Sequence, residues 1–192
     1  LYEGEPGDDT TVAAVHIMPR TTTRVMVGPA SSPDMDAKQV RDLILTSGKK
    51  VVCGGTTSKI VARELGQRID VELKYYDEEV PPTAHIEGID LVTEGILTLS
   101  AAEKRMKEYL DEYEDNVRKK EILDLDKKDG ATKLVRLLVE ECTDVVFMMG
   151  QANNPAHQNL DAPVSLNIKV RIVQNIATML EKLGKHAEVE YY

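Results

Sequence analysis

The residues best placed to do chemistry lie within residues 50–66, KVVCGGTTSKIVARELG, where Gly54 and Gly55 run into the hydroxyls of Thr56, Thr57 and Ser58. The apolar Val51-Val52-Cys53 precedes the glycines, and an apolar stripe at Ile60, Val61 and Leu65 follows them. This pattern predicts a buried strand that turns directly into a helix closed by Gly66. Such a turn suits an anion. Glycines let the backbone come close, and the first N–H groups of a helix lack partners and sit at the positive end of its dipole. A Thr or Ser here either caps those groups or donates to a phosphate oxygen. The spacing is neither that of the dinucleotide fingerprint nor that of a P-loop, so a plain strand-to-helix turn with a threonine cap fits the same string.

A second polar cluster follows the apolar run Val145-Val146-Phe147-Met148-Met149. There Gly150 opens a loop holding Gln151, Asn153, Asn154 and His157. A continuous apolar strand reads as buried on both faces, and ligand sites gather beyond the C-terminal ends of such strands. A third loop, residues 93–98, offers Glu94 and Gly95. If these strands are neighbours, their loops converge on one polar pocket of backbone N–H groups, hydroxyls, amides, a carboxylate and an imidazole. That mixture suits a hydroxyl- and phosphate-bearing metabolite or an inorganic anion.

The elements that must position these groups alternate between strand and helix. Residues 21–28 predict a short strand centred on Arg24-Val25-Met26-Val27, and a helix capped by Asp34 or Asp36 runs to about Thr46. After the 50–66 unit, residues 69–75 predict a strand with Val71, Leu73 and Tyr75 on one face, followed by a Pro81-Pro82 loop. An apolar run near Ile89 and Leu91-Val92 comes next. Ser100 and Glu103 then form a capping box for a long charged helix to about Leu123, with Met106, Tyr109, Leu110, Tyr113 and Val117 as its apolar stripe. Asp129 caps a more deeply buried helix over residues 131–141. A helix over residues 164–183 closes at Gly184, and residues 186–192 read as an edge strand. Strand–helix alternation of this kind predicts an α/β three-layer sandwich with a mostly parallel sheet.

The chain has 192 residues, with 42% apolar and 30% charged, which is ordinary for a globular protein of one sizeable core. It has no Trp and one Phe, so the core must be aliphatic. The net charge of −9 argues against nucleic acid as a partner, because phosphate contacts need a basic patch. Cys53 and Cys142 lie in or beside apolar runs and read as reduced core residues of a cytoplasmic protein. No apolar run reaches membrane-spanning length. His85 reads as a surface or strand-edge histidine. The abrupt polar opening on Leu1 suggests a piece of a longer protein.

The opening carries a motif. The string Gly4-Glu5-Pro6-Gly7-Asp8-Asp9-Thr10-Thr11-Val12, with an alternating strand expected over residues 11–17, resembles the closing motif of the metal-dependent protein phosphatases. It is closest to the stage II sporulation protein E branch of the protein phosphatase 2C type. The resemblance implies that Asp8 is a ligand of a binuclear Mg²⁺/Mn²⁺ centre, that Asp9 is its neighbour and that Thr11 is the motif threonine. It also implies a phosphoprotein substrate, attacked by metal-bound hydroxide in a bacterial serine/threonine phosphatase. A binuclear centre needs several carboxylates, and the rest of the family's cluster lies N-terminal to this motif. Residues 1–20 are therefore read as the tail of a phosphatase domain and residues 21–192 as an accessory, ligand-sensing or regulatory α/β domain without a complete catalytic site. The strings VVCGGTTSKIVARELG, EGIDLVTEGILTL and GQANNPAHQN resemble the C-terminal extension of some bacterial phosphatases of this type.

Other classes of function stay open on the residues alone. One is a stand-alone enzyme or binding protein for a phosphorylated or nucleotide-like metabolite, working through Thr56, Thr57, Glu94 and His157. Another is a dimerisation module, pairing copies through the charged helix or the final edge strand.

Overall fold

Apolar side chains occupy both faces of the central strands, so the sheet feeds two cores. The computed structural model describes residues 13–15, 17, 19–114, 127–152 and 162–192. In chain order the elements are β1 (Thr22–Val27), α1 (Pro33–Ile44), β2 (Lys50–Cys53), α2 (Gly55–Leu65), β3 (Asp70–Val71), β4 (Ala84–His85), β5 (Leu91–Thr93), α3 (Ile96–Glu114), α4 (Gly130–Glu140), β6 (Asp144–Met149), α5 (Ala162–Lys182) and β7 (His186–Tyr191). The seven-stranded sheet has the order β3-β4-β5-β2-β1-β6-β7. From β5 to β7 all neighbours are parallel, while β3 and β4 add an antiparallel margin.

The strand period of two sorts the residues between the cores. Val25, Val27 and Phe147 join the core under α3, α4 and α5, whereas Met26, Val52 and Met148 join the core under α1 and α2. Every residue of β6 is buried, as its unbroken apolar run predicts. The chain is thus an α/β three-layer sandwich on a mostly parallel sheet. β7 lies at the sheet margin beside β6, in the edge position that its charged alternation predicts.

Several boundaries differ from expectation for local reasons. The cap of α1 is Ser32, whose hydroxyl accepts from Met35 N, and Pro33 takes the first helical position. Asp36, expected as a cap, instead accepts from Ala30 N at 2.8 Å and pins the loop leaving β1. The strand expected over residues 69–75 stops at Val71, because its partner β4 spans only Ala84–His85. Leu73 and Tyr75 are exposed. α3 begins a turn before the Ser100–Glu103 pattern, so Ser100 lies inside the helix rather than capping it. Met106 and Leu110 supply its buried stripe, and the expected continuation over residues 115–123 lies outside the described residues. Of the strand expected over residues 11–17, the described positions 13–15 and 17 belong to no strand, and Val15 and Ile17 are exposed.

α4 begins at a buried ionic knot. Asp129 caps it by accepting from Ala131 N and Thr132 N, each at 3.0 Å. Arg105 of α3 donates to Asp129 and to the Thr132 hydroxyl, and its other arm donates to Asp77 at 2.8 Å. One guanidinium therefore fastens α3, the start of α4 and the loop between β3 and β4. Burial works against the Asp129 carboxylate, but the Thr132 N–H and Arg105 outweigh it and hold its pKa below the usual value. Arg105→Met is expected to cost about 3 kcal/mol in urea unfolding, the lower end for orphaning one member of a buried pair, since the cap bonds remain. A wild-type midpoint would show the knot to be energetically idle.

Candidate functional site

The chain leaves β1 toward β2 and β5, then returns to β6 on the opposite side of β1. The connections leaving β1 and β6 therefore diverge to opposite faces of the sheet. A crevice opens between them at the C-terminal rim, the topological switch point of a parallel sheet. Four of the parallel strands run into glycine at this rim: β1 into Gly28, β2 into Gly54-Gly55, β5 into Glu94-Gly95 and β6 into Gly150. These ends line a cavity of about 220 Å³.

The β2 wall is the turn that the sequence singles out. Gly54 occupies the N-cap position of α2 at φ +119°, where a side chain would be strained, and no side chain caps the helix. The expected capping hydroxyls are engaged otherwise. Ser58 Oγ donates to the Gly54 carbonyl at 2.8 Å, and Thr57 borders the cavity but is 1% exposed. Thr56 is the hydroxyl of this cluster that reaches solvent. The start of α2 therefore borders the cavity with no side chain capping it.

Glu94 closes the mouth. Its Oε2 accepts from Gly95 N at 3.0 Å, and its Oε1 lies 3.1 Å from where a β-carbon on Gly55 would sit. A β-carbon at Gly55 would press on that carboxylate and shift it by a few tenths of an ångström. Across the cavity stands Lys169 of α5, beside Leu166. Burial lowers the pKa of Lys169, with the negative charge of Glu94 opposing the shift. A partly desolvated ammonium, a helix start without a side-chain cap and a carboxylate thus line one cavity.

The geometry gathers Gly54, Gly55, Thr56, Thr57, Glu94 and Gly95 at one rim. Gln151 is exposed and does not border the cavity; its backbone N–H instead donates to the Tyr192 carbonyl at 3.0 Å. Ser58 is buried and faces an adjoining groove. Asp8, Asn153, Asn154 and His157 lie outside the described residues. Gly28, Pro29 and Lys169, to which no motif points, complete the walls together with Gly150, which opens the loop after β6. Lys169 had a signal: it falls on the stripe of Leu166, Ile172, Val173 and Ile176, where a charge is out of place.

Among the described residues no group of His, Cys, Asp and Glu is placed to hold a metal ion. Cys53 and Cys142 are free and buried, and burial pushes the Cys53 thiol up to about 11. No helix among the described residues is long and apolar enough to cross a membrane. Comparison with family models, curated proteins and solved structures finds no match to the chain.

Proposed function

We propose that residues 21–192 are an accessory sensing domain that binds a small phosphate- and hydroxyl-bearing anion at the glycine-lined rim. In this reading the chain is the C-terminal region of a bacterial metal-dependent protein serine/threonine phosphatase of the sporulation E type. The observation that carries the binding role is the cavity itself, where parallel strands end in glycine and Lys169 faces the uncapped start of α2. The parentage rests on the resemblance of residues 4–12 to the phosphatase closing motif, with Asp8 as the expected Mg²⁺ or Mn²⁺ ligand of the parent enzyme. The phosphoprotein substrate then belongs to the parent's catalytic domain, and ligand binding at the rim regulates that domain.

The reading of a self-sufficient enzyme is weaker on the same geometry. Thr57 is buried, and no nucleophile–base pair forms among Thr56, Thr57 and Glu94.

Thermal unfolding in the presence of inorganic phosphate and sugar phosphates tests the binding role. A ligand at a hundred times its Kd stabilises the native state by about 2.7 kcal/mol, which raises the Tm by several degrees. The same chain is expected to leave p-nitrophenyl phosphate uncleaved with Mn²⁺. Absence of any shift across the panel would remove the sensing role, and robust turnover would remove the accessory one.

A further inference from the structure

The rim cavity has a neighbour. On the other side of Gly55, Thr56 and Glu94, which line both spaces, lies a groove of about 560 Å³. Its floor and far wall are aliphatic: Ile69, Val71, Pro82, Ala84 and Val92. Ser58 and Lys59 of α2 form its polar side. Val71 is 59% exposed, an apolar surface left open beside a polar rim. The rim cavity alone is smaller than the roughly 300–1,000 Å³ of ordinary small-molecule sites, whereas the joined spaces fall within that range.

We infer that the two spaces take one ligand, a nucleoside 5′-monophosphate, with its phosphate in the rim cavity, its ribose diol on Glu94 and its base in the groove. This inference rests on the rim's being an anion site. The order of groups follows from charge. Lys169 and the N–H groups of α2 attract the phosphate. Glu94, standing at the boundary, repels a further phosphate but accepts hydrogen bonds from vicinal hydroxyls, so the ligand carries one phosphate and a sugar at that point. Beyond the sugar the walls turn mainly aliphatic, which suits the face of a planar ring, while Lys59 lines one side with a polar group for the ring's edge. A plain alkyl chain would give Lys59 no partner.

Isothermal titration of the chain with inorganic phosphate, ribose 5-phosphate and the four common nucleoside 5′-monophosphates tests the assignment. At least one mononucleotide is expected to bind tenfold or more tightly than ribose 5-phosphate. Val71→Asp, at an exposed position, is expected to weaken that mononucleotide at least tenfold more than it weakens ribose 5-phosphate. Glu94→Gln is expected to weaken both ribose compounds relative to inorganic phosphate. A mononucleotide that binds no better than ribose 5-phosphate, or that ignores Val71→Asp, overturns the placement of the base and leaves the rim site standing. If neither phosphate nor any phosphate ester binds, the rim site falls as well.

Discussion

Gly150→Ala is expected to destabilise the chain by about 3 kcal/mol and to abolish anion binding at the rim. β1 and β6 are in register from Thr22↔Asp144 to Val27↔Met149, and their ends stay in contact beyond the sheet. Gly150 N donates to the Val27 carbonyl at 2.9 Å, and Ala152 N donates to the Pro29 carbonyl at 3.1 Å. A β-carbon on Gly150 would overlap the Pro29 carbonyl group and the Gly28 oxygen. No rotamer relieves such an overlap, because the obstacle is backbone. The strand ends must separate, which breaks both hydrogen bonds and reshapes the wall between Pro29 and Gly150. Overpacking in well-packed sites costs about 1–3 kcal/mol, and a backbone collision belongs at the upper end. Gly184→Ala is the control, since that residue has φ +79° but no neighbour within 4 Å of an added β-carbon. It should lose only the roughly 1–2 kcal/mol of a left-handed residue. Urea unfolding reads both variants, and equal midpoints for Gly150→Ala and wild type would show that the strand ends do not touch.

That close approach also marks what the sequence could and could not reveal. The unbroken apolar run of β6 and the helix closing at Gly66 are local patterns, and they appear in the fold where the residues place them. The α/β class follows from their alternation. Strand order does not, because nothing in the sequence of β1 says that it lies between β2 and β6. The meeting of Gly28, Pro29 and Gly150 depends on that order. Partner length is equally hidden: the alternation through Leu73 and Tyr75 is real, but β4 offers only two residues to pair with. The Ser100–Glu103 pattern misleads for a related reason. β5 ends at Thr93, and the Gly95 carbonyl accepts from Leu99 N at 3.1 Å, so the helix is under way before the capping residue arrives.

The hydroxyl cluster teaches a different lesson. Thr56, Thr57 and Ser58 were equivalent as a string, but helical geometry turns them in different directions. Ser58 bonds back to Gly54, Thr57 packs inward and Thr56 alone meets solvent. Donor types could be read from the sequence, whereas their availability depended on the helix phase. Lys169 inverts the case: a charge on an apolar stripe is visible in the sequence, but only the strand order brings it to the cavity at the sheet rim.

Lys169→Gln is the most direct consequence of that placement. A charge-assisted hydrogen bond contributes about 1.5–3 kcal/mol, so affinity for inorganic phosphate is expected to fall about tenfold to a hundredfold. Stability in urea should hold or rise slightly, because the substitution removes an ammonium that burial disfavours. Affinity and stability thus move independently, which a merely structural lysine would not produce. The pH dependence follows from the same lowered pKa. Above pH about 8 a phosphate monoester such as ribose 5-phosphate is already dianionic, its second ionisation lying near 6. Further loss of affinity with rising pH then reports deprotonation of Lys169, below the ordinary lysine value of 10.5. Stability runs the other way. With the folded value below the unfolded one, the unfolded chain holds more protons through this window, so the unliganded protein gains stability as pH rises through it. In Lys169→Gln both trends should vanish, and Lys169→Arg should restore part of the affinity while carrying its charge to higher pH. Unchanged phosphate affinity in Lys169→Gln would place the anion elsewhere on the molecule.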